Sequence, residues 1–156
     1  MAATDDSLGT ASSSSPGTYA LLLRLERARR LSVGRLGCFR FPRGVYVYTG
    51  SAQGPGGTRA RIARHLRRPK VLHWHVDYLR AHALPVLVWL LEGDQRRECQ
   101  WAGALQRMPR ASIPALGFGS SDCSCPSHLI RFPALPDRTI FEQTIGEPVT
   151  EVRLDG

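Results

Sequence analysis

Lysine is almost missing from this chain: all but one of its 21 basic side chains, Lys70, are arginine. Acidic residues are also few, 13 in all, which leaves a formal net charge of +8. Together these shortages exclude an acidic or evenly balanced surface and favour a polyanionic partner, because the planar arginine fork suits phosphate. Long apolar runs are lacking as well. No stretch approaches the ~20 residues of a helical membrane span. The first sixteen residues are polar and Ser-rich, with Asp5 and Asp6 in place of the basic start and apolar middle of a secretory signal. The expected location is therefore cytoplasmic, with no membrane partner. Cysteine is scarce, with only Cys38, Cys99, Cys123 and Cys125; in a reducing compartment no disulfide framework is expected.

What is present suffices for one folded domain. The 156 residues are 42% hydrophobic, enough for a core without covalent staples. Residues 1–16 form a low-complexity tail closed by Pro16, with no apolar periodicity, and are expected to be disordered. Residues 17–132 carry alternating strand and helix signals. From Pro133 the chain turns Pro-rich and polar, so residues 133–156 are expected as an extended tail, with at most a short helix around 140–144.

Within the domain, the dense apolar run 19–25 predicts a strand through a covered sheet. The β-branched and aromatic run 45–48 predicts a second. Their local connection favours an antiparallel pair. Residues 50–57, with four glycines and Pro55, mark a loop. Residues 58–68 then predict a helix stopped by Pro69, with Ile62 and Leu66 as its apolar stripe. A short helix over 74–82, a strand over 86–91, a helix over 98–108 and a last short strand over 127–132 complete the pattern. The expected class is α/β of the α+β kind: a small, mostly antiparallel sheet with helices against it.

Four features fall in a telling order: Gly17-Thr18-Tyr19 opening the first strand, Tyr48-Thr49-Gly50 closing the second, Arg61 and His65 four apart on a helix, and Glu98 starting a later helix. This series resembles the GIY-YIG endonuclease superfamily. The wider text, including His73-Trp74-His75-Val76-Asp77 and Gly117-Phe118-Gly119-Ser120-Ser121-Asp122-Cys123, is similar to its small Uri-type prokaryotic branch, members of which occur fused to DNA-repair glycosylases. The resemblance spans residues 17–132. It implies a central sheet of three main strands flanked by helices. It also implies a repair-linked endonuclease with a repair-protein partner, acting on DNA with Mg²⁺ or Mn²⁺. Under it Tyr19 would position or deprotonate the attacking water, and Tyr48 would hold water or phosphate. Arg61 would neutralise the scissile phosphate, His65 would assist proton transfer, and Glu98 would bind the metal. Two positions depart from the signature, where Thr18 and Thr49 replace isoleucine. The Asn that follows the Glu in some members has no clear match, and Asp122 or Ser121 could take its space.

The residue chemistry agrees with those roles. Phosphodiester hydrolysis requires charge compensation on the phosphoryl and leaving oxygens. A guanidinium supplies a permanent bidentate contact, and a hard cation can ride on one carboxylate while keeping several waters. Arg61 and His65 share a helix face. Glu98 sits in a first helical turn, where the helix dipole favours the ionised form. Tyrosine, with an ordinary pKa of about 10, suits water-orienting better than base work. Arg59, Arg64, Arg67, Arg68 and Lys70, with His73 and His75 beyond them, could track a nucleic-acid backbone; a solvated helix face and structural histidines are the plainer alternatives. The intact Tyr19, Tyr48, Arg61 and Glu98 set favours turnover over a catalytically silent binding module.

A second constellation, Cys123-x-Cys125-x-x-His128, offers soft ligands suited to Zn²⁺. Its spacing departs from the usual zinc patterns. Cys99, His73 and His75 are candidate fourth ligands, and small thiols packed as hydrophobes are the alternative. A zinc-organised adaptor with protein partners would follow from it. The Gly117–Ser121 run could cradle a phosphate or merely make a tight loop.

Overall fold

A computed structural model describes residues 14–68 and 71–154. The leading 1–13 of the expected disordered tail, and Lys70 among the expected nucleic-acid contacts, lie outside the described residues. At the end of that tail, the Ser15 carbonyl accepts from the Thr58 amide at 3.0 Å and the Pro16 carbonyl from that of Gly93 at 2.9 Å.

The elements run β1 (Gly17–Leu25), β2 (Arg29–Val33), β3 (Gly37–Phe41), β4 (Gly44–Ala52), α1 (Gly57–Leu66), α2 (His75–Arg80), β5 (Leu84–Glu92), α3 (Glu98–Gln106), β6 (Leu129–Phe132), α4 (Arg138–Ile145) and β7 (Thr150–Arg153). The main sheet has the order β6-β4-β1-β5-β7, and every pairing in it is antiparallel. The fold is thus α+β. The three main strands expected are its centre, β4-β1-β5, and the short strand expected over 127–132 is β6; the sheet has five strands rather than three because β6 and β7 extend its two edges.

Strand periodicity explains the continuous apolar run in β1. Successive side chains point to opposite faces, and here both faces are covered. Tyr19, Leu21, Leu23 and Leu25 enter one core with Tyr46, Ile62, Val76, Leu79 and Phe118. Ala20 and Leu22 enter a second with Val47, Trp89, Trp101, Leu105, Ile130 and Phe141. The first layer carries α1, α2 and the hairpin; the second carries α3 and α4.

Two regions correct the expectations. The Arg-rich connection after β1 is a β-hairpin, β2 with β3, turning at Gly34 with a Leu36 amide to Val33 carbonyl bond of 2.9 Å. It anchors itself through Val33 and Phe41, both fully buried. Within the expected extended tail, the short helix allowed around 140–144 is present and longer, Arg138–Ile145, and a strand, Thr150–Arg153, follows it, so this stretch is folded rather than extended. Asp137 caps α4 by accepting from the amides of Thr139 (2.8 Å) and Ile140 (3.3 Å), and Gly146, with φ 81°, ends it. Phe141 and Ile145, one turn apart, are buried against the second core. β7 then pairs with β5. Among the described residues no helix is long and apolar enough to cross a membrane.

Candidate active site

At one end of the sheet Tyr19, Tyr48, Arg61 and Glu98 line a single open cleft of about 450 Å³, together with Ser51, His73, Trp74, His75, Arg96, Asp122, Cys123 and His128. The register explains the meeting. Tyr19 lies opposite Gly50 and Leu21 opposite Tyr48, so both phenols stand on the α1 face. Thr18 lies opposite Ser51 and Ala20 opposite Thr49, which puts those three hydroxyls on the α3 face.

Thr18 and Thr49 each have a local role. Both are fully buried. The Thr18 Oγ1 accepts from the Arg97 amide at 3.0 Å, and the Thr49 hydroxyl donates to the Glu98 carbonyl at 3.1 Å. They pin the start of α3, and therefore Glu98, to the sheet. The Ser51 hydroxyl completes the hold with a short hydrogen bond to the Glu98 carboxylate, while the Ser51 carbonyl accepts from Arg61 Nη1 at 3.1 Å. Ser51 thus links carboxylate and guanidinium. Its sequence signal, a hydroxyl two residues along the same strand face from Thr49, was present but unspecific. Arg97 pairs with Glu147 at 3.1 Å, and among the described residues Glu98 has no ion-pair partner.

Gly50 is required by contact. A Cβ there would stand 2.5 Å from the Tyr19 hydroxyl, so only glycine leaves the phenol in place. The hydroxyl is 2.7 Å from His65 Nε2. Burial holds the Tyr19 phenol well above its ordinary range, and neighbouring Tyr48 adds to this; Arg61 opposes both and loses. Tyr48 is pushed up to about 12, again by burial with Arg61 opposing. Burial thus holds both phenols in the neutral form, in which the hydroxyl can donate a hydrogen bond.

His65 is 2% exposed and stands behind Tyr19, packed by Tyr48 and Trp74 and away from the cleft lining. Burial lowers its pKa to about 3, so it is a neutral support for Tyr19, and its Nδ1 has no hydrogen-bond partner among the described residues. Its folded value lies below the ordinary 6.5. The unfolded chain therefore takes up a proton that the folded chain refuses, and the stability present above pH 6.5 is lost as pH falls toward 3. Comparing unfolding free energies of the parent and His65→Gln between about pH 6.5 and 4.5 should show the parent steeper by about 1.4 kcal/mol per pH unit. Equal slopes would mean that His65 is not held neutral.

The expected backbone-tracking residues divide. Arg59, Arg67 and Arg68 are exposed on or just after α1. Arg64 is not available: it makes a bidentate pair with Asp77 at 2.6 and 3.0 Å and stacks 4.3 Å over Trp74. Asp77 also accepts from the His73 and Trp74 amides at 2.8 Å each. Burial would raise its pKa, but Arg64 and these amides hold it below the ordinary value. Arg61 also lies over the Trp74 ring, 4.8 Å from its centroid, which pre-orients its fork beside the cleft. His75 Nδ1 accepts from the Gly119 amide at 2.8 Å; a neutral imidazole then carries its proton on Nε2, as a donor. Arg96, exposed on the rim, had no distinguishing sequence signal. Ser121 and Asp122 line the cleft as well.

Beside Glu98, the donor atoms of Cys99, Cys123, Cys125 and His128 lie within 4.8 Å of one another, a group that could hold a metal such as zinc. Cys99 is thereby the fourth member, and His73 and His75 are not.

The profile of the family described as domain of unknown function DUF123 matches residues 18–147, most of the chain. The chain belongs to this family. No curated protein and no solved structure matches it. The DUF123 match runs past β6 through α4, so the family unit includes the C-terminal helix as well as every cleft residue named above.

Proposed function

We propose that this chain is a divalent-metal-dependent endonuclease of the GIY-YIG type that hydrolyses phosphodiester bonds in DNA. The observation that carries the reading is the shared cleft: two neutral phenols and a guanidinium on one side, and on the other a carboxylate with no cationic partner among the described residues, in a chain of net charge +8.

Arg61, oriented by Trp74 and the Ser51 carbonyl, would receive the scissile phosphate. Tyr19 and Tyr48 would orient the attacking water and a phosphoryl oxygen through their hydroxyls. The Nε2–H of His75 and the side chain of Arg96 would bind the flanking backbone. Glu98 fits a hard cation: one oxygen is steadied by Ser51, and the open cleft leaves room for the waters that such an ion keeps. Mg²⁺ or Mn²⁺ held there would stabilise the leaving oxygen or acidify a bound water. The basic helix α1 is only ten residues long and offers little surface for reading long sequences, which favours structure-selective cutting and a repair-linked context.

The test is cleavage of labelled linear, nicked and branched DNA, with matching RNA, in Mg²⁺ or Mn²⁺. Cleavage of DNA, abolished by EDTA and restored by either ion, is expected, with binding that weakens as salt rises. Salt-sensitive binding with no cleavage of any substrate in either ion would overturn the enzyme reading in favour of a binding module.

A further inference from the structure

The Cys3His group adjoins the cleft, whose lining includes Cys123 and His128, but its soft donors differ from the oxygen ligand offered by Glu98. Its ligands come from two places: Cys99 from the first turn of α3, and Cys123, Cys125 and His128 from the irregular segment leading into β6. A tetrahedral zinc ion with Zn–S of about 2.3 Å and Zn–N of about 2.0–2.1 Å sets its thiolate and imidazole donors about 3.5 Å apart and its thiolates about 3.8 Å apart. The His128 Nε2 lies 3.6 Å from the Cys99 Sγ and 3.4 Å from the Cys123 Sγ. Both distances match a thiolate-imidazole edge of such a site, and all four donor atoms lie within 4.8 Å of one another.

Hydrogen bonding alone is a poor account of this arrangement. Thiols are weak donors and weak acceptors, and all three cysteines are free. His128 is held from the protein side: its amide donates to the Phe118 carbonyl at 2.8 Å, and its carbonyl accepts from the Thr49 amide at 3.0 Å. The stretch between Ser120 and Pro126, by contrast, contains no helix or strand. A short irregular segment that presents two thiols and an imidazole to a third thiol is what a structural metal organises. Sulfur ligation selects a soft or borderline ion over Mg²⁺ or Mn²⁺, so this site and the carboxylate of Glu98 would take different metals.

We infer that Cys99, Cys123, Cys125 and His128 bind one zinc ion in a closed four-ligand site that ties the start of α3 to the segment before β6. Four protein ligands leave no open position, so the ion is structural. Binding releases the three thiol protons and leaves a ZnS₃N centre, with no change in oxidation state.

The test uses the full chain, expressed with zinc in the medium and purified under reducing conditions without chelator. Elemental analysis should give one zinc per chain. Cys125→Ser should lower zinc retention against a competing chelator by about tenfold or more. If that variant fails to fold, the unmodified protein still decides the matter. Exchanged with Co²⁺, it should show the visible bands of tetrahedral cobalt and a sulfur-to-cobalt charge-transfer band. Absence of stoichiometric zinc together with a six-coordinate cobalt spectrum overturns the inference, as does a stable disulfide among these cysteines in the reduced preparation. Neither readout involves cleavage, so loss of the zinc site and loss of the nuclease reading are distinguishable.

Discussion

Glu98→Gln is expected to lower the DNA cleavage rate by about 10²-fold or more, the size of effect seen when one electrostatic contact to a developing charge is removed. The substitution keeps the shape of the side chain, and its amide oxygen can still accept from Ser51. The backbone hold by Thr49 is untouched, since it uses the Glu98 carbonyl. Folding stability should therefore stay within about 0.5 kcal/mol of the parent. DNA binding at low salt should be retained or slightly tighter, because one negative charge leaves a cationic surface. Parallel measurements of cleavage, unfolding and binding separate these effects. Full activity in Glu98→Gln would place the metal, or the need for one, elsewhere.

Phe141→Ala is expected to be the most destabilising of the substitutions considered, at about 3–5 kcal/mol. Phe141 is fully buried, stacked on Trp89 with ring centroids 4.9 Å apart and edge-on to Trp101 at 5.1 Å. Truncation removes both aromatic contacts and leaves a cavity beneath α4. Against a total stability of about 5–15 kcal/mol for a domain of this kind, much of the folded population is at risk near body temperature. Urea unfolding of Phe141→Ala beside exposed Arg138→Ala would measure it. A loss no larger than that of the surface variant would mean that the C-terminal helix is not part of the folded unit.

That helix shows where the sequence was hard to read. Its two buried residues, Phe141 and Ile145, are a thin apolar stripe among polar neighbours, preceded by Pro133 and Pro136, so periodicity alone was weak. The stronger signal was the pair of ends: Asp137 as an N-cap and Gly146 as a C-cap nine residues later. The β2–β3 hairpin was hidden for a different reason. Arg29, Arg30 and Ser32 face solvent, and the short alternation of Leu31 with Val33 and of Phe39 with Phe41 is all that discloses which side is buried. The central strands were legible because burial on both faces demands unbroken apolar runs. For the cleft, the order of Tyr19, Tyr48, Arg61 and Glu98 was legible. The burial of His65, the capture of Arg64 by Asp77 and the anchoring by Thr18 and Thr49 were not, because each depends on a partner distant in sequence.

The two faces of β1 rest on separate apolar layers, and the cleft draws one jaw from each. Phenols and guanidinium ride on the layer with α1; the acid rides on the layer with α3. A volume change in either layer would displace one jaw while the other stays still. Slightly mispacked variants should consequently fall into two groups with unlike defects, those that blunt capture of the phosphate and those that blunt response to the divalent ion, and a second-site change would repair a defect only from within the same layer.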